Sequence, residues 1–352
     1  MNPSTQKSLS RALVLGATGG IGGEVSRQLN ASGWQVRALR RGGAPDAHDA
    51  TGAARAISDE TVTQPRIEWI DGDAMRADDV LAAARGCDVI VHAVNPPGYR
   101  NWHTQVLPMI DNTIATATRH GATIVLPGTV YNYGPETFPL LREDAPQRPL
   151  TRKGKIRATM EGRLRDASRN GVQTIIVRAG DFFGPRTRNS WFGQGLVKPG
   201  HTTRVVQVPN APGIGHEWSY LPDVARTMVM LIERRKALAN FANFHMAGHW
   251  DADGTQMAAS ITRVMARYGV EVTTRRFPWW LMTALSPFVT TLRELREMRY
   301  LWQQPVRMDN THLIDALGEE PHTPLDIAIH ATLDGLGCLP GKPSARAVEE
   351  IS

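Results

Sequence analysis

Short apolar runs alternate with amphipathic stretches along the first half of the chain. The apolar runs predict β-strands at residues 12–15, 34–39, 67–70, 88–92, 123–126 and 174–177. Apolar residues at helical spacing predict helices at residues 21–32, 79–84, 110–120, about 153–170 and 224–234. Because strands and helices alternate, we expect a parallel sheet covered by helices on both faces. Six strands in this order indicate an α/β fold with a doubly wound parallel sheet of the Rossmann type.

The amino-acid composition changes after Gly184, where glycine, proline and aromatic residues become frequent. A chain of 352 residues exceeds the usual size of a single hydrophobic core, so a second, smaller unit is expected. We expect residues 11–184 to form the Rossmann domain, with residues 221–247 returning to it. Residues 185–220 and 248–340 are then expected to form a C-terminal substrate lobe.

Three segments fall outside these elements. Residues 1–10 are polar and are expected to form a flexible tail. Residues 42–65 show no clear periodicity of hydrophobic residues and are expected to form a surface excursion outside the core. Residues 277–292 are the most apolar stretch, but they are shorter than the ~20 residues of a membrane-spanning helix and contain two prolines. We expect them to form a buried element of the lobe.

Composition and charge argue against several classes of protein and several kinds of site. The net charge is +6, but basic residues are dispersed and mixed with acidic ones, which argues against a nucleic-acid partner. The two cysteines, Cys87 and Cys338, are far apart in sequence, which argues against a disulfide framework or a metal site. The first residues lack the apolar core of a signal peptide, so we expect a cytoplasmic protein without membrane attachment. The oligomeric state stays open, with a homodimer as the candidate arrangement.

A glycine-rich segment, Gly16-Ala-Thr-Gly-Gly-Ile-Gly22, joins the first predicted strand to the first predicted helix. Gly16 suits the tight turn, Gly19 lets the backbone approach a pyrophosphate, and Gly22 lets the helix pack on the strand. The amides at the start of the helix then face the anion. The residues expected to bind a dinucleotide here are Gly16, Thr18, Gly19, Gly20, Ile21 and Gly22.

The end of the second strand indicates which dinucleotide is preferred. An acidic residue there would bind the ribose hydroxyls of NAD, but the chain has Arg37, Arg40 and Arg41. Guanidinium groups at this position favour the 2′-phosphate of NADP, while NAD stays possible. Asp73, after the third strand, is expected to reach the adenine.

Together these motifs resemble those of the extended short-chain dehydrogenase/reductase family, also called the NAD-dependent epimerase/dehydratase family. The resemblance adds the pair Asp71-Gly-Asp73 and the segment His92-Ala-Val-Asn95, where Ala93 and Asn95 would lie along the cofactor. Residues 178–185 are similar to the family segment that enters the substrate lobe, with Asp181 in place of asparagine. Residues 216–225 are similar to a second family segment, with His216 in place of arginine.

The catalytic residues are where the chain departs from this family. Family enzymes place a serine or threonine four residues before a Tyr-Gly pair, and Thr129 stands in this relation to Tyr133. They also carry Tyr-x-x-x-Lys on one helix, where the lysine lowers the pKa of the tyrosine. Here Lys153 occupies the tyrosine position and Arg157 the lysine position. A free lysine titrates near pH ~10.4, so proton transfer requires burial or a neighbouring cation that lowers its pKa.

Two functions stay open at this stage. The first is an NAD(P)-dependent oxidoreductase or epimerase acting on a small polar or carbonyl-containing substrate, with Thr129 orienting it and Lys153 or Tyr131 or Tyr133 handling the proton. Asp181 and His216 would contact the substrate, and UDP- and GDP-sugars are expected to bind poorly. The second is a non-catalytic NADP(H)-binding protein with a redox-sensing or regulatory role.

Overall fold

The computed structural model describes residues 10–42, 67–96, 101–187, 190–286 and 296–341. Its strands are β1 Arg11–Leu15, β2 Gln35–Arg40, β3 Glu68–Asp71, β4 Val89–His92, β5 Thr123–Gly128, β6 Leu140–Leu141, β7 Thr174–Arg178, β8 Asp181–Phe183, β9 Val205–Val208, β10 His216–Tyr220, β11 Phe241–His245, β12 His249–Asp251, β13 Thr273–Arg276 and β14 Arg307–Met308. Its α-helices are α1 Gly20–Ala31, α2 Ala77–Ala83, α3 Trp102–His120, α4 Arg152–Arg169, α5 Leu221–Glu233, α6 Gln256–Ala266, α7 Trp279–Leu285, α8 Thr311–Leu317 and α9 Leu325–Gly335.

A parallel sheet forms the centre of the fold. Among the described residues it has seven strands in the order β11-β7-β5-β4-β1-β2-β3. The strand β1 pairs with β2 on one side and with β4 on the other, so the order reverses between β1 and β4. In open sheets of this kind the ligand site lies at this reversal, outside the carboxyl ends of the strands. The predicted α/β doubly wound fold is confirmed.

Helices cover both faces of the sheet, and the alternation of side chains along each strand explains how. In β1, Ala12 and Val14 pack into a core with α1 and α5, while Leu13 and Leu15 pack into a second core with α2, α3 and α4. All four side chains are almost completely buried. A strand buried on both faces has a continuous apolar sequence, which is the pattern of 12–15.

Two elements differ from the sequence prediction. A seventh strand, β11, pairs in parallel with β7 at the edge of the sheet. It was missed because its sequence, Phe-Ala-Asn-Phe-His, mixes polar and apolar residues. The helix predicted at 110–120 begins earlier, at Trp102, and Pro108 lies inside it. Proline usually marks a helix boundary, which is why the sequence placed the start after it.

The remaining described residues add three small sheets and a further core. The strands β12, β10 and β8 form one sheet, β13 and β9 a second, and β14 and β6 a third. Phe183, Trp218 and Ile261 belong to the core that joins this region. No helix within the described ranges is long and apolar enough to cross a membrane.

The apolar segment at 277–292 is only partly a buried element. Its helix α7 buries Met282, but Trp280 is 74% exposed and Leu281 is also exposed. The expectation of a buried element is therefore wrong for one face of α7. The end of this segment, the tail at 1–9 and most of the expected excursion at 42–65 lie outside the described residues.

Glu217 is a buried acid that holds the strand β14 against β10. Its Oε2 accepts a hydrogen bond of 2.6 Å from the amide of Met308, while Oε1 has no partner among the described residues. Burial raises the pKa of Glu217 well above its ordinary value of 4.5, and the nearby Glu320 adds to this effect. Burial therefore favours the neutral form of this carboxyl group.

We predict that the Glu217→Gln variant loses one component of the pH dependence of stability. Because the folded pKa is raised, the contribution of Glu217 is fully present below about pH 4.5 and is lost as pH rises through the folded pKa. Over that window the wild-type free energy of unfolding should fall by about 1.4 kcal/mol per pH unit relative to the variant. Urea unfolding across pH measures it, and parallel curves for the two proteins would contradict the prediction.

Candidate functional site

A cavity of about 910 Å³ opens at the carboxyl ends of the sheet strands. Its wall contains residues that directly follow five neighbouring strands: Gly16, Arg41, Gly72, Ala93 and Thr129. The start of α4 and residues from the C-terminal half of the chain close the other side. The cavity therefore occupies the position that the topology assigns to a ligand.

The glycine loop forms one end of the cavity. Gly16 adopts φ +88°, and a Cβ there would lie 2.6 Å from the carbonyl oxygen of Ala93. A Cβ on Gly22 would lie 2.2 Å from the carbonyl oxygen of Gly16, so Gly22 is needed for the helix to pack beneath the turn. Thr18, Gly19, Gly20 and Ile21 line the cavity.

The first turn of α1 begins directly at this loop. The first amides of a helix have no acceptor within it, and Gly19, which precedes α1, supplies no side-chain cap. These amides and the close backbone approach fit a pyrophosphate group, which is the anion of a dinucleotide. The residues present therefore fit the cofactor that the sequence predicts.

The three arginines at the end of β2 have different surroundings. Arg41 is exposed and lines the cavity together with Arg40. The Nε of Arg40 donates to Asp71 at 3.1 Å, and its Nη1 is buried without a partner among the described residues. Arg37 instead bonds to Glu68 and to the carbonyl oxygen of Arg85, on the side of α2. Arg37 therefore lies on the other face of the strand from Arg40, because side chains alternate along a strand.

The other residues that are expected to contact the cofactor also line the cavity. Asp73 lines the cavity, and its Oδ1 accepts a hydrogen bond of 2.9 Å from the amide of Met75. Ala93 and Asn95 also line it, after β4. Asn95 accepts a hydrogen bond of 3.1 Å from the Nη2 of Arg157, so α4 and the loop after β4 are joined across the cavity.

Arg157 is buried and is held by more than this one bond. Its guanidinium lies 5.5 Å from the centre of the Trp102 ring. The neighbouring His92 bonds through Nδ1 to the hydroxyl of Thr113 at 2.8 Å. Burial, with a contribution from Arg157, lowers the pKa of His92 to about 3, so this ring is neutral. Arg157 is therefore held between Asn95 and Trp102 at the side of the cavity, and a guanidinium group does not titrate usefully near neutral pH.

Thr129 lines the cavity directly after β5, and its hydroxyl is part of a hydrogen-bonded chain. The hydroxyl donates to Oδ1 of Asn132, whose Nδ2 donates to Gln147 at 3.1 Å. Gln147 in turn donates to Glu161 at 2.6 Å. Because the Thr129 hydroxyl donates its hydrogen to Asn132, the lone pairs of its oxygen remain available to accept a hydrogen bond.

The chain of bonds ends at a buried ion pair between α4 and β7. Arg178 is fully buried and donates to both carboxylate oxygens of Glu161, at 3.0 and 2.8 Å. It also donates to the carbonyl oxygen of Thr129. Burial alone would lower the pKa of Arg178, but Glu161 and Tyr133 together outweigh burial and the pKa is raised. Arg178 therefore remains charged and fixes Thr129 relative to α4.

Tyr133 does not line the cavity, contrary to its proposed catalytic role. Its side chain is fully buried, and its hydroxyl lies 3.3 Å from Nε2 of His245 on β11. Its ring lies 5.0 Å from the Arg178 guanidinium. Burial raises the pKa of Tyr133, which makes it a weaker acid. Of the two tyrosines that follow β5, Tyr131 is the one that lines the cavity.

Lys153 lies in the first turn of α4, is buried, and lines the cavity with Tyr131 and Thr129. The helix approaches the Tyr131 turn closely because residue 154 is glycine. A Cβ at Gly154 would lie 2.2 Å from the carbonyl oxygen of Tyr131. Thr151 caps the helix by accepting a hydrogen bond of 3.0 Å from the amide of Gly154. The sequence prediction that Thr129 and Lys153 face one site agrees with this geometry.

Asp181 and His216 are in direct contact, although only Asp181 lines the cavity. The Nε2 of His216 lies 2.8 Å from Oδ2 of Asp181. The His216 ring is stacked on Trp302, with ring centres 3.7 Å apart and planes at 10°. His216 is therefore placed to orient Asp181, while its own ring is not among the residues that line the cavity.

Several cavity residues were not found from the sequence. Trp191, Met298, Leu301 and Trp302 line the side that faces away from the glycine loop. Periodicity gave no signal for them, because they lie in short irregular elements. The ion-pair partner Glu161 was also missed, although its spacing of eight residues from Lys153 places both on one face of α4. No group of three or more potential metal ligands occurs in the part of the chain that the structure describes.

The fold and the cavity together define a Rossmann-type α/β protein. The chain belongs to the NAD-dependent epimerase/dehydratase family, which it matches over residues 12–247. A search of curated protein sequences finds no match to the chain. The family resemblance seen in the sequence is confirmed.

Solved structures with the same fold include several epimerases. The UDP-glucuronic acid 4-epimerase from Bacillus cereus, in complex with UDP-glucuronic acid and NAD, is 17% identical with a TM-score of 0.68. The UDP-Glc/GlcNAc 4-epimerase from Campylobacter jejuni is 17% identical with a TM-score of 0.67. The enzyme WbmH from Bordetella bronchiseptica, in complex with NAD+, is 15% identical with a TM-score of 0.64. Each match covers 93% of this chain and 98% of the other.

We predict opposite effects for alanine at two glycines of α4. Gly154→Ala would force the Cβ against Tyr131 and should destabilise the fold by about 1–3 kcal/mol. Gly162→Ala is the matched control, because nothing lies within 4 Å of its Cβ and helix propensity should stabilise it by about 0.5–1 kcal/mol. Urea unfolding measures both. Equal stabilisation by the two substitutions would show that α4 does not approach the Tyr131 turn.

Proposed function

We propose that the protein is an NAD(P)-dependent oxidoreductase or epimerase that acts on a small polar or carbonyl-containing substrate. The observation that carries the proposal is that one cavity holds the glycine loop, the Thr129 hydroxyl and the Lys153 side chain. A nicotinamide cofactor supplies a hydride acceptor or donor when it is bound. The protein then has to position the reacting carbon and manage one proton.

Thr129 is suited to hold the oxygen of the substrate. Its own proton is donated to Asn132, so its oxygen can accept a hydrogen bond from a substrate hydroxyl. The backbone of Thr129 is fixed at the same time by Arg178. A hydroxyl held in this way presents the carbon that bears it to the cofactor in one orientation.

Lys153 is the residue we assign to the proton. It is buried, lines the cavity beside Thr129 and Tyr131, and has the guanidinium of Arg157 one helical turn further along α4. Burial and a neighbouring cation are the conditions under which a lysine exchanges a proton near neutral pH. As an ammonium group, Lys153 would also stabilise negative charge that develops on a carbonyl oxygen during reduction.

NADP is the cofactor we favour over NAD. The support is the pair Arg40 and Arg41 at the end of β2, where an acidic residue would bind the ribose hydroxyls of NAD. The buried Nη1 of Arg40 lacks a partner among the described residues, and a 2′-phosphate would accept from it. Two of the solved structures named above, those from Bacillus cereus and Bordetella bronchiseptica, contain NAD, so this preference is a property we propose for this chain.

We predict that Lys153→Met abolishes turnover and leaves NADPH affinity within about threefold of the wild type, because the glycine loop is untouched. The control is Lys155→Met, which removes a positive charge from the exposed face of the same helix. Steady-state rates and fluorescence titration with NADPH give the two readouts. Unchanged turnover in Lys153→Met would eliminate the lysine as the proton donor.

Failure to find any NADPH oxidation would favour the second function. Stoichiometric NADPH binding, combined with no oxidation across a broad panel of carbonyl compounds, is the result expected of a redox-sensing or regulatory protein. It would exclude an oxidoreductase. Because an epimerase consumes no net NADPH, the epimerase alternative is excluded only if the corresponding alcohols also show no change of configuration at the hydroxyl-bearing carbon.

We predict that Arg40→Ala weakens NADPH by about tenfold or more while changing NADH by less than about threefold, since only NADPH carries the 2′-phosphate. Arg37→Ala is the matched control, because Arg37 belongs to the same strand and bonds on the side of α2. Calorimetric titration of both cofactors measures the effect. Equal losses of NADPH and NADH affinity in Arg40→Ala would refute the assignment.

A further inference from the structure

The side of the cavity that faces away from the glycine loop, here called the lobe wall, is formed largely by apolar and aromatic side chains. Its large residues are Phe182, Trp191, Met298, Leu301 and Trp302. Asp181 is the one charged residue of this wall within the described part of the chain. A site of this composition favours a flat apolar ligand that carries few polar groups.

Trp191 is the aromatic ring available to a ligand. It is partly exposed, whereas Trp302 is only 1% exposed. Trp302 packs against Trp191 at a ring distance of 5.1 Å and an angle of 67°, and Trp279 lies 5.7 Å away. A Cβ at Gly195 would lie 2.9 Å from the Trp191 ring, so the backbone also supports it. The Trp191 ring is therefore held in one orientation before a ligand binds. Little side-chain conformational entropy is then lost on binding.

Beside the Trp191 ring, the Asp181 carboxylate provides one oxygen that can accept a hydrogen bond from a ligand. Its Oδ2 is bonded to His216, and His216 is fixed by stacking on Trp302. Its Oδ1 has no hydrogen bond among the described residues, and the side chain is 31% exposed. A carboxylate held in this way selects a ligand with a hydroxyl group and disfavours one with negative charge.

This arrangement is unfavourable for a nucleoside diphosphate. The diphosphate carries negative charge, and in the described residues the lobe wall offers it no cationic side chain. The buried cations of the cavity lie on α4, where Arg157 already bonds to Asn95 and Lys153 is assigned to the reacting oxygen. An anion on the lobe wall would instead meet the Asp181 carboxylate.

We propose that the substrate is an uncharged aryl ketone, or the corresponding alcohol, with a hydroxyl group on its ring. The ring packs on Trp191, and the ring hydroxyl donates to Asp181. The carbonyl oxygen of the ketone accepts a hydrogen bond from Lys153, and the hydroxyl of the corresponding alcohol donates to Thr129. In reduction, the carbonyl carbon takes a hydride from NADPH and its oxygen takes a proton from Lys153, which yields the alcohol and NADP+. This inference rests on the proposed function for the reaction, but its binding component stands independently.

The test measures binding to the full-length protein saturated with NADP+, with 4-hydroxyacetophenone, acetophenone and UDP-glucose as probes. We expect 4-hydroxyacetophenone to bind about tenfold more tightly than acetophenone, as a hydrogen bond to a charged acceptor provides. UDP-glucose should not bind measurably at millimolar concentration. With NADPH, 4-hydroxyacetophenone should be reduced.

Two variants and one control variant test which side chains bind the two ketones. Trp191→Leu should weaken both ketones by about tenfold, and Trp280→Leu, at a ring that is 74% exposed on α7, should change neither. Asp181→Asn, which keeps the shape, should reduce the preference for the hydroxylated ketone to below about threefold. Thermal unfolding of each variant shows whether the fold is retained.

The outcomes separate the two proposals. Tight binding of UDP-glucose, or equal binding of the two ketones by the wild type, overturns the substrate inference and leaves the oxidoreductase or epimerase proposal intact. Binding in the expected order without any NADPH consumption supports the lobe wall as an aryl site and overturns the proposed reaction.

Discussion

The buried ion pair between Arg178 and Glu161 is the interaction on which the reacting side of the cavity depends. Two charges removed from water are costly unless their hydrogen-bonding groups are satisfied. Here Arg178 donates to Glu161, to the Thr129 carbonyl and to the neutral His245 ring, and Glu161 also accepts from Gln147. The charged pair is therefore stable only when β5, β7, β11 and α4 are all in place. The same contacts set the position of Thr129 relative to Lys153.

The cavity consequently combines two different kinds of support. At the glycine loop, backbone geometry alone makes the site, since Gly16 and Gly22 allow β1 and α1 to approach each other. At Thr129 and Lys153, side chains are held by a polar network with little tolerance for loss of one member. Under the proposed function, this separation allows the cofactor end of the family fold to be kept while Lys153 and Arg157 stand in the positions of the usual tyrosine and lysine. Binding of the cofactor and chemistry on the substrate depend on different parts of the sequence.

Local sequence signals were sufficient for the fold and for the cofactor end. The strand, glycine turn and helix at 12–32 are defined by neighbouring residues, and Thr129 follows from its distance to Tyr133. The remaining features of the cavity depend on contacts between residues that are far apart in the sequence. Tyr133 is turned away from the cavity by His245, which is 112 positions later in the chain. Trp191 and Trp302 meet only in the folded protein, and no spacing rule connects them.

Hydrogen exchange of the Glu161→Gln variant tests the central role of the ion pair most directly, because it needs no substrate. Loss of the carboxylate leaves Arg178 without its charge partner, so the amides of residues 129–133 and of the first turns of α4 should exchange faster. Residues 16–25 of the glycine loop and α1 should keep their wild-type protection. An increase spread evenly over the chain, or no change at 129–133, would contradict the account.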